Sequence, residues 1–175
     1  MDNANGVINL YTDGSCIGNP GLGGIAYMYF IDNGISKEKA IGYKRTTNNR
    51  MEIMAVIVGL EDIRKEGTEG SLTNYPAKEI RVYTDSEYVC NIFNRGWIKT
   101  WMKNGWKKSD GNDVANQDLL QKLDGLINAF TTFGIKIGFT HVQGHADNEF
   151  NNKCDQMARD AANKTPENER EDDSE

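Results

Sequence analysis

The order of apolar segments predicts an α/β fold, a five-stranded mixed sheet flanked by helices on both faces. Three strand-like runs come first, and strands then alternate with helices, a pattern that joins antiparallel hairpins to parallel crossovers. One long segment, from Thr47 to Glu66, is apolar around most of a helical circumference, as a helix buried on several sides must be. The 175 residues suffice for one domain with a sizeable core.

The elements follow in order. Val7 to Thr12 alternates as a strand and runs into Asp13. Gly14 to Gly24 carries five glycines and an Asn-Pro pair, which reads as turn chemistry. Ile25 to Ile31 is a second strand, Asp32-Asn33-Gly34 a hairpin turn, and Ile35 to Arg45 a third strand. Thr47 or Asn48 can cap the apolar helix, and Gly67 follows its end. Ile80, Val82 and Tyr83 form a strand ending at Thr84-Asp85, after which Ser86 can cap a short helix through Phe93. Trp97 to Ala115 alternates aromatic and basic residues. Gln117 to Phe130 is an amphipathic helix, Ile135, Ile137 and Phe139 mark the fifth strand, and Glu149 to Ala162 is the last helix.

Composition narrows the function. The net charge of −6 argues against a simple basic nucleic-acid binder, yet the charge is unevenly placed. Asn163 to Glu175 holds six acids and two bases, so the remainder carries only −2. Arg95 to Lys108 holds five bases and no acid, a strip able to attract phosphate. The acidic tail has no hydrophobic anchor, so the expected division is a folded domain over 1–162 and a disordered tail over 163–175, whose deletion should leave the fold intact. Cys16, Cys90 and Cys154 are an odd, scattered set, read as reduced thiols rather than as disulfides or zinc ligands. No stretch approaches the length of a membrane span and Met1 to Gly6 does not read as a signal peptide, so the expected setting is the cytoplasm, without membrane association.

Four carboxylates carry the candidate chemistry. Asp13 and Asp85 each end an apolar strand, where open α/β sheets build their sites. Glu52 lies in the first turns of the apolar helix, and Asp155 beside the buried stripe of the last one. Singly, they read as a turn former, a helix cap, an acid at a helix N-terminus and an i, i+4 partner for Arg159. Together they form a set of hard oxygen ligands suited to Mg²⁺ or Mn²⁺, and a pair of such ions suits phosphodiester cleavage.

Four motifs then carry a family resemblance. Tyr11-Thr-Asp-Gly-Ser-Cys-Ile-Gly-Asn-Pro-Gly-Leu-Gly-Gly24 resembles the opening motif of type 1 ribonucleases H, and Thr46-Thr-Asn-Asn-Arg-Met-Glu-Ile-Met-Ala55 their central-helix motif. Thr84-Asp-Ser-Glu-Tyr-Val89 resembles the third, and Val142-Gln-Gly-His145 with Asp155 the last. The resemblance spans Val7 to Ala162 and implies the ribonuclease H-like fold. It also implies a monomeric endonuclease that cleaves the RNA strand of RNA–DNA hybrids with two Mg²⁺ ions, Mn²⁺ substituting, to leave 5′-phosphate and 3′-hydroxyl ends. Asp13, Glu52, Asp85 and Asp155 would be the metal-binding carboxylates. His145, titrating near neutrality, would assist proton transfer or product release.

By the same resemblance, the Cys16–Asn19 backbone, Gly18 included, and Asn49 would read RNA hydroxyls in the wide minor groove, while Asn19, Thr46 and Asn48 would help hold the DNA strand. Turn and cap chemistry explains the asparagines equally well. Lys99, Lys103, Lys107 and Lys108 would grip phosphates from a basic protrusion, with Trp101 against deoxyribose and Trp97 and Trp106 packed in the core. The sequence departs from the family pattern at Glu87, Asp147, Asn148, Glu149 and Asn152, none of them a core carboxylate. Three other readings compete: a same-fold nuclease with another nucleic-acid substrate, a non-catalytic hybrid-binding module, and the nuclease part of a reverse transcriptase. The intact carboxylates weigh against the second, and the absence of a polymerase part against the third.

Overall fold

A computed structural model describes residues 5–31, 34, 36–143, 148–164 and 169–172. The strands are β1 (Val7–Ile17), β2 (Gly21–Ile31), β3 (Ser36–Thr46), β4 (Glu79–Thr84), β5 (Lys136–His141) and β6 (Glu169–Arg170). The helices are α1 (Asn48–Glu69), α2 (Glu87–Asn94), α3 (Trp97–Lys103), α4 (Gln117–Thr132) and α5 (Glu149–Ala162). The strand order is β5-β4-β1-β2-β3-β6. β1, β2 and β3 pair antiparallel, whereas β4 joins β1 and β5 joins β4 in parallel. The five-stranded mixed sheet is therefore present, with β6 added at its outer edge.

Side-chain alternation along β2 separates the two layers. Ile25, Tyr27, Tyr29 and Ile31 enter the larger core with Met51, Ile53, Ile57 and Leu60 of α1 and Leu120 and Leu123 of α4. Ala26 and Met28 point the other way, toward Cys154 and Ala158 of α5. Thr47 caps α1 by accepting the Arg50 N–H on its hydroxyl, and Ser86 caps α2 by accepting from Val89.

Three expectations need correction. The glycine-rich run is mostly strand: β1 continues to Ile17 and β2 begins at Gly21, with Cys16 paired to Gly23. Its glycines serve close approach as well as the turn. A β-carbon on Gly14 would lie 2.4 Å from the Met51 carbonyl carbon, and one on Gly24 would lie 2.1 Å from the Ala158 oxygen. Second, Trp97 to Lys103 is a helix, α3, which aromatic and basic alternation does not announce. Third, the tail is not wholly without structure. Gly42 pairs with Glu169 and Tyr43 with Arg170, and Asp172 is bound by Arg50. A carboxylate meeting a buried guanidinium supplies an anchor that apolar composition does not reveal.

Candidate active site

Register explains how the carboxylates meet. Tyr11 and Tyr83 are the last pair of the parallel β1–β4 ladder. Asp13 and Asp85 each lie two residues beyond it, side by side where the parallel ladder ends. Glu52 reaches them from the second turn of α1, because Gly14 admits the helix backbone against β1. The Gly14 N–H donates to Glu52 Oε1 at 2.9 Å and fixes that carboxylate. One oxygen from each of Asp13, Glu52 and Asp85 lies within 4.8 Å of the others. Asp155 adds its charge to the same center from α5, while its Oδ2 accepts from Arg159 Nη2. The i, i+4 pairing of Asp155 with Arg159 is thus present, and its charge is felt at Asp13.

This is a center of unbalanced negative charge. Asp13 is 2% exposed. Its Oδ2 is buried with no hydrogen-bond partner among the described residues. Burial, followed by the charges of Glu52, Asp85 and Asp155, raises the Asp13 pKa far above the usual carboxylate range. Burial and the Asp85 charge also raise Glu52, against the hydrogen bond from Gly14. Like charges held this close need protons or a cation. An orphaned buried carboxylate oxygen and an all-oxygen donor set suit a hard divalent metal.

The remaining candidates are distributed around this center. Gly18 turns the β1–β2 hairpin at φ 77°. Asn19 Oδ1 accepts from the Asn48 N–H at 3.2 Å, which joins that hairpin to the start of α1. Asn48 and Asn49 are exposed on the first turn of α1. The Cys16 thiol donates to the Thr46 carbonyl at 3.3 Å. Thr46 is buried and its hydroxyl donates to Asp172 at 2.6 Å, so its side chain faces inward. Lys99, Lys103 and Lys108 are exposed, while Lys107 pairs with Asp113. Trp101 and Trp106 pack partly against the core. Trp97, expected inside, is 36% exposed because it opens α3 at the surface. His145 and Asp147 lie outside the described residues.

Two participants were missed in the sequence. His141 Nε2 lies 3.2 Å from the Asp85 carbonyl oxygen, holding the turn that presents Asp85. Its place at the end of β5, paired with Thr84, was the available signal. Arg50 stands inside a recognised motif, but its partners, Asp118 and Asp172, lie 68 and 122 residues away.

Comparison with known proteins agrees with this geometry. The RNase H family profile matches residues 5–163. A ribonuclease H of Caldanaerobacter subterraneus is 42% identical over 164 residues, covering 94% of this chain and 96% of that protein. One from Chlorobaculum parvum is 41% identical over 153 residues, covering 87% and 92%. Among solved structures, a type 1 RNase H with the type 2 active-site motif superposes with a TM-score of 0.70 at 27% identity, over 93% of this chain and 74% of that one. A ribonuclease H1 in complex with RNA/DNA hybrid has a TM-score of 0.61 at 24% identity, over 89% and 96%, a likeness of fold.

Proposed function

Because the chain belongs to the ribonuclease H family, we propose that it hydrolyses phosphodiester bonds in the RNA strand of RNA–DNA hybrids, leaving 5′-phosphate and 3′-hydroxyl ends. The observation that carries the reading is the convergence of Asp13, Glu52 and Asp85, one oxygen of each within 4.8 Å of the others, with the buried Asp13 Oδ2 lacking a hydrogen-bond partner among the described residues. Those three carboxylates and Asp155 would hold two Mg²⁺ ions, with Mn²⁺ able to substitute. Such ions supply an activated water and stabilise charge on the leaving oxygen.

The chain's own groups prepare and hold that arrangement. Gly14 orients Glu52, Arg159 restrains Asp155, and His141 fixes the Asp85 turn. His145, four residues beyond His141, is the proton carrier or product-release group in this reading. Cys16, Gly18 and Asn49 read the RNA hydroxyls, while Asn19 and Asn48 hold the DNA strand, with Thr46 supporting them from below. Lys99, Lys103 and Lys108 grip phosphates beside Trp101, and Lys107 joins them once released from Asp113. The working unit is a monomer in the cytoplasm. In keeping with a reducing setting, Cys16, Cys90 and Cys154 are unpaired. No described helix is long and apolar enough to cross a membrane.

The test is a gel assay with end-labelled RNA as hybrid, duplex and single strand, alongside duplex DNA, with Mg²⁺ or EDTA. Cleavage confined to the hybrid, dependent on metal and lost in Asp13→Asn, is the expected result. Tight hybrid binding without cleavage by the wild type would reject the enzymatic reading.

A further inference from the structure

We infer that the C-terminal segment is a positioning element for substrate: Asp172, through Arg50 and Thr46, sets the spacing between the loops that face the hybrid and the basic protrusion. The inference rests on the hybrid-cleaving reading above. It starts from a single guanidinium. Arg50 Nε and Nη2 donate to the two oxygens of Asp172 at 2.8 and 3.0 Å. Nη1 and Nη2 donate to the two oxygens of Asp118 at 3.0 and 2.7 Å. Nη1 also reaches Asn116 Oδ1 at 3.4 Å, and Asn116 Nδ2 donates to the Tyr88 hydroxyl at 3.0 Å. The Arg50 side chain is 8% exposed and that of Asp172 fully buried.

The elements tied to this guanidinium are the ones that hold nucleic acid in the proposed reading. On one side, Asp172 accepts from the Thr46 hydroxyl. Thr46 pairs with Gly21 across the β2–β3 ladder and accepts the Cys16 thiol. Asn48, two residues before Arg50, is bonded to Asn19. The hairpin and the exposed first turn of α1 therefore form one unit around the Arg50–Asp172 pair. On the other side, Asn116 and Asp118 stand where the chain leaves the protrusion and enters α4. A guanidinium fork fixes direction as well as distance. Two carboxylates on one fork thus define how far the hairpin and α1 start lie from the protrusion. The chain after α5 closes this arrangement by pairing with β3 before it presents Asp172.

The experiment uses full-length Asp172→Ala and Asp172→Asn, working well below the melting temperature of each. Hybrid affinity is measured in an Asp13→Asn background, and KM, kcat and cleavage positions in the active enzyme. Misplacing two grips on a rigid duplex should raise Kd and KM about tenfold in Asp172→Ala, with kcat at saturating hybrid changed less than about twofold. Asp172→Asn, which still accepts from Thr46, should recover part of the affinity, and cleavage positions should spread in Asp172→Ala. A lower melting temperature with unchanged Kd and KM would overturn the inference and leave a purely structural clasp. Tighter binding would overturn it too, making the acidic tail a competitor of the substrate. A wild type that fails to bind hybrid would remove the functional reading itself, whereas equal binding by wild type and Asp172→Ala removes this inference alone.

Discussion

Arg50 and Glu52 are two residues apart at the start of α1, and each anchors a cluster of charge built on an opposite plan. Around Glu52, like charges converge and a buried Asp13 oxygen has no partner among the described residues. Around Arg50, one guanidinium donates to two carboxylates and an amide oxygen, and the Thr46 hydroxyl donates to one of those carboxylates, so opposite charges meet within the chain. The first arrangement costs stability and needs protons or a cation to balance it. The second holds the frame in which the first is set. The helix thus carries a site left incomplete and the clasp that keeps it in place.

The sharpest way to break the comparison is to neutralise one charge in each cluster. Asp13→Asn should lower metal-dependent hybrid cleavage by roughly a thousandfold or more. In metal-free protein the same change should raise the melting temperature by about 3–6 °C, because it removes the cost of burying an ionisable carboxyl among like charges. Arg50→Ala should do the reverse for stability, costing about 3–5 kcal/mol by leaving Asp172 buried without its cation. Calorimetry of both variants checks the opposite signs; equal destabilisation would show that the two clusters are not different in kind.

Acidity separates the clusters next. Asp13 and Glu52 have folded-state pKa values raised above those of the unfolded chain. The folded protein therefore holds protons that the unfolded chain has released. Their contribution is fully present below the ordinary carboxylate range and is lost as pH rises through the raised values. Metal-free protein should thus lose melting temperature between about pH 5 and pH 8 relative to Asp13→Asn. Added Mg²⁺ should stabilise the wild type more at the higher pH, since ions and protons compete for the same oxygens. A thermal-shift series at fixed ionic strength with both proteins reads this directly, and parallel curves would refute it.

Much of this was legible from the sequence, and the omissions have physical reasons. Asp13, Glu52 and Asp85 stand in motifs whose spacing follows strand ends and a helix turn, so their convergence was readable. The hairpin from Gly14 to Gly24 was misread because glycine marks both turns and crowded backbones, and sequence alone does not say which. Asp172 was missed because composition averages over a tail in which one carboxylate finds a buried cation far away in the chain. Trp97 was placed inside because tryptophan is a core residue by size, whereas the first turn of α3 turns it outward.

The smallest expected effect concerns a polar group that belongs to neither cluster. The Tyr29 hydroxyl is buried without a hydrogen-bond partner among the described residues. Tyr29→Phe should change stability by no more than about 0.5 kcal/mol, or raise it, because no bond is lost. A loss above about 1.5 kcal/mol in denaturant unfolding would mean that the hydroxyl is bonded in solution.

The contacts at Gly14 and Gly24 also bear on how tolerances are kept. The reach of Glu52 and Asp155 toward Asp13 is referenced to main chain lying on main chain, where there are no rotamers to redistribute and almost no compressible space. Side chains elsewhere in the core still have rotamers through which a substitution can be accommodated. One methyl group at either glycine, by contrast, displaces a whole helix. The precision of the center is therefore stored in two missing atoms.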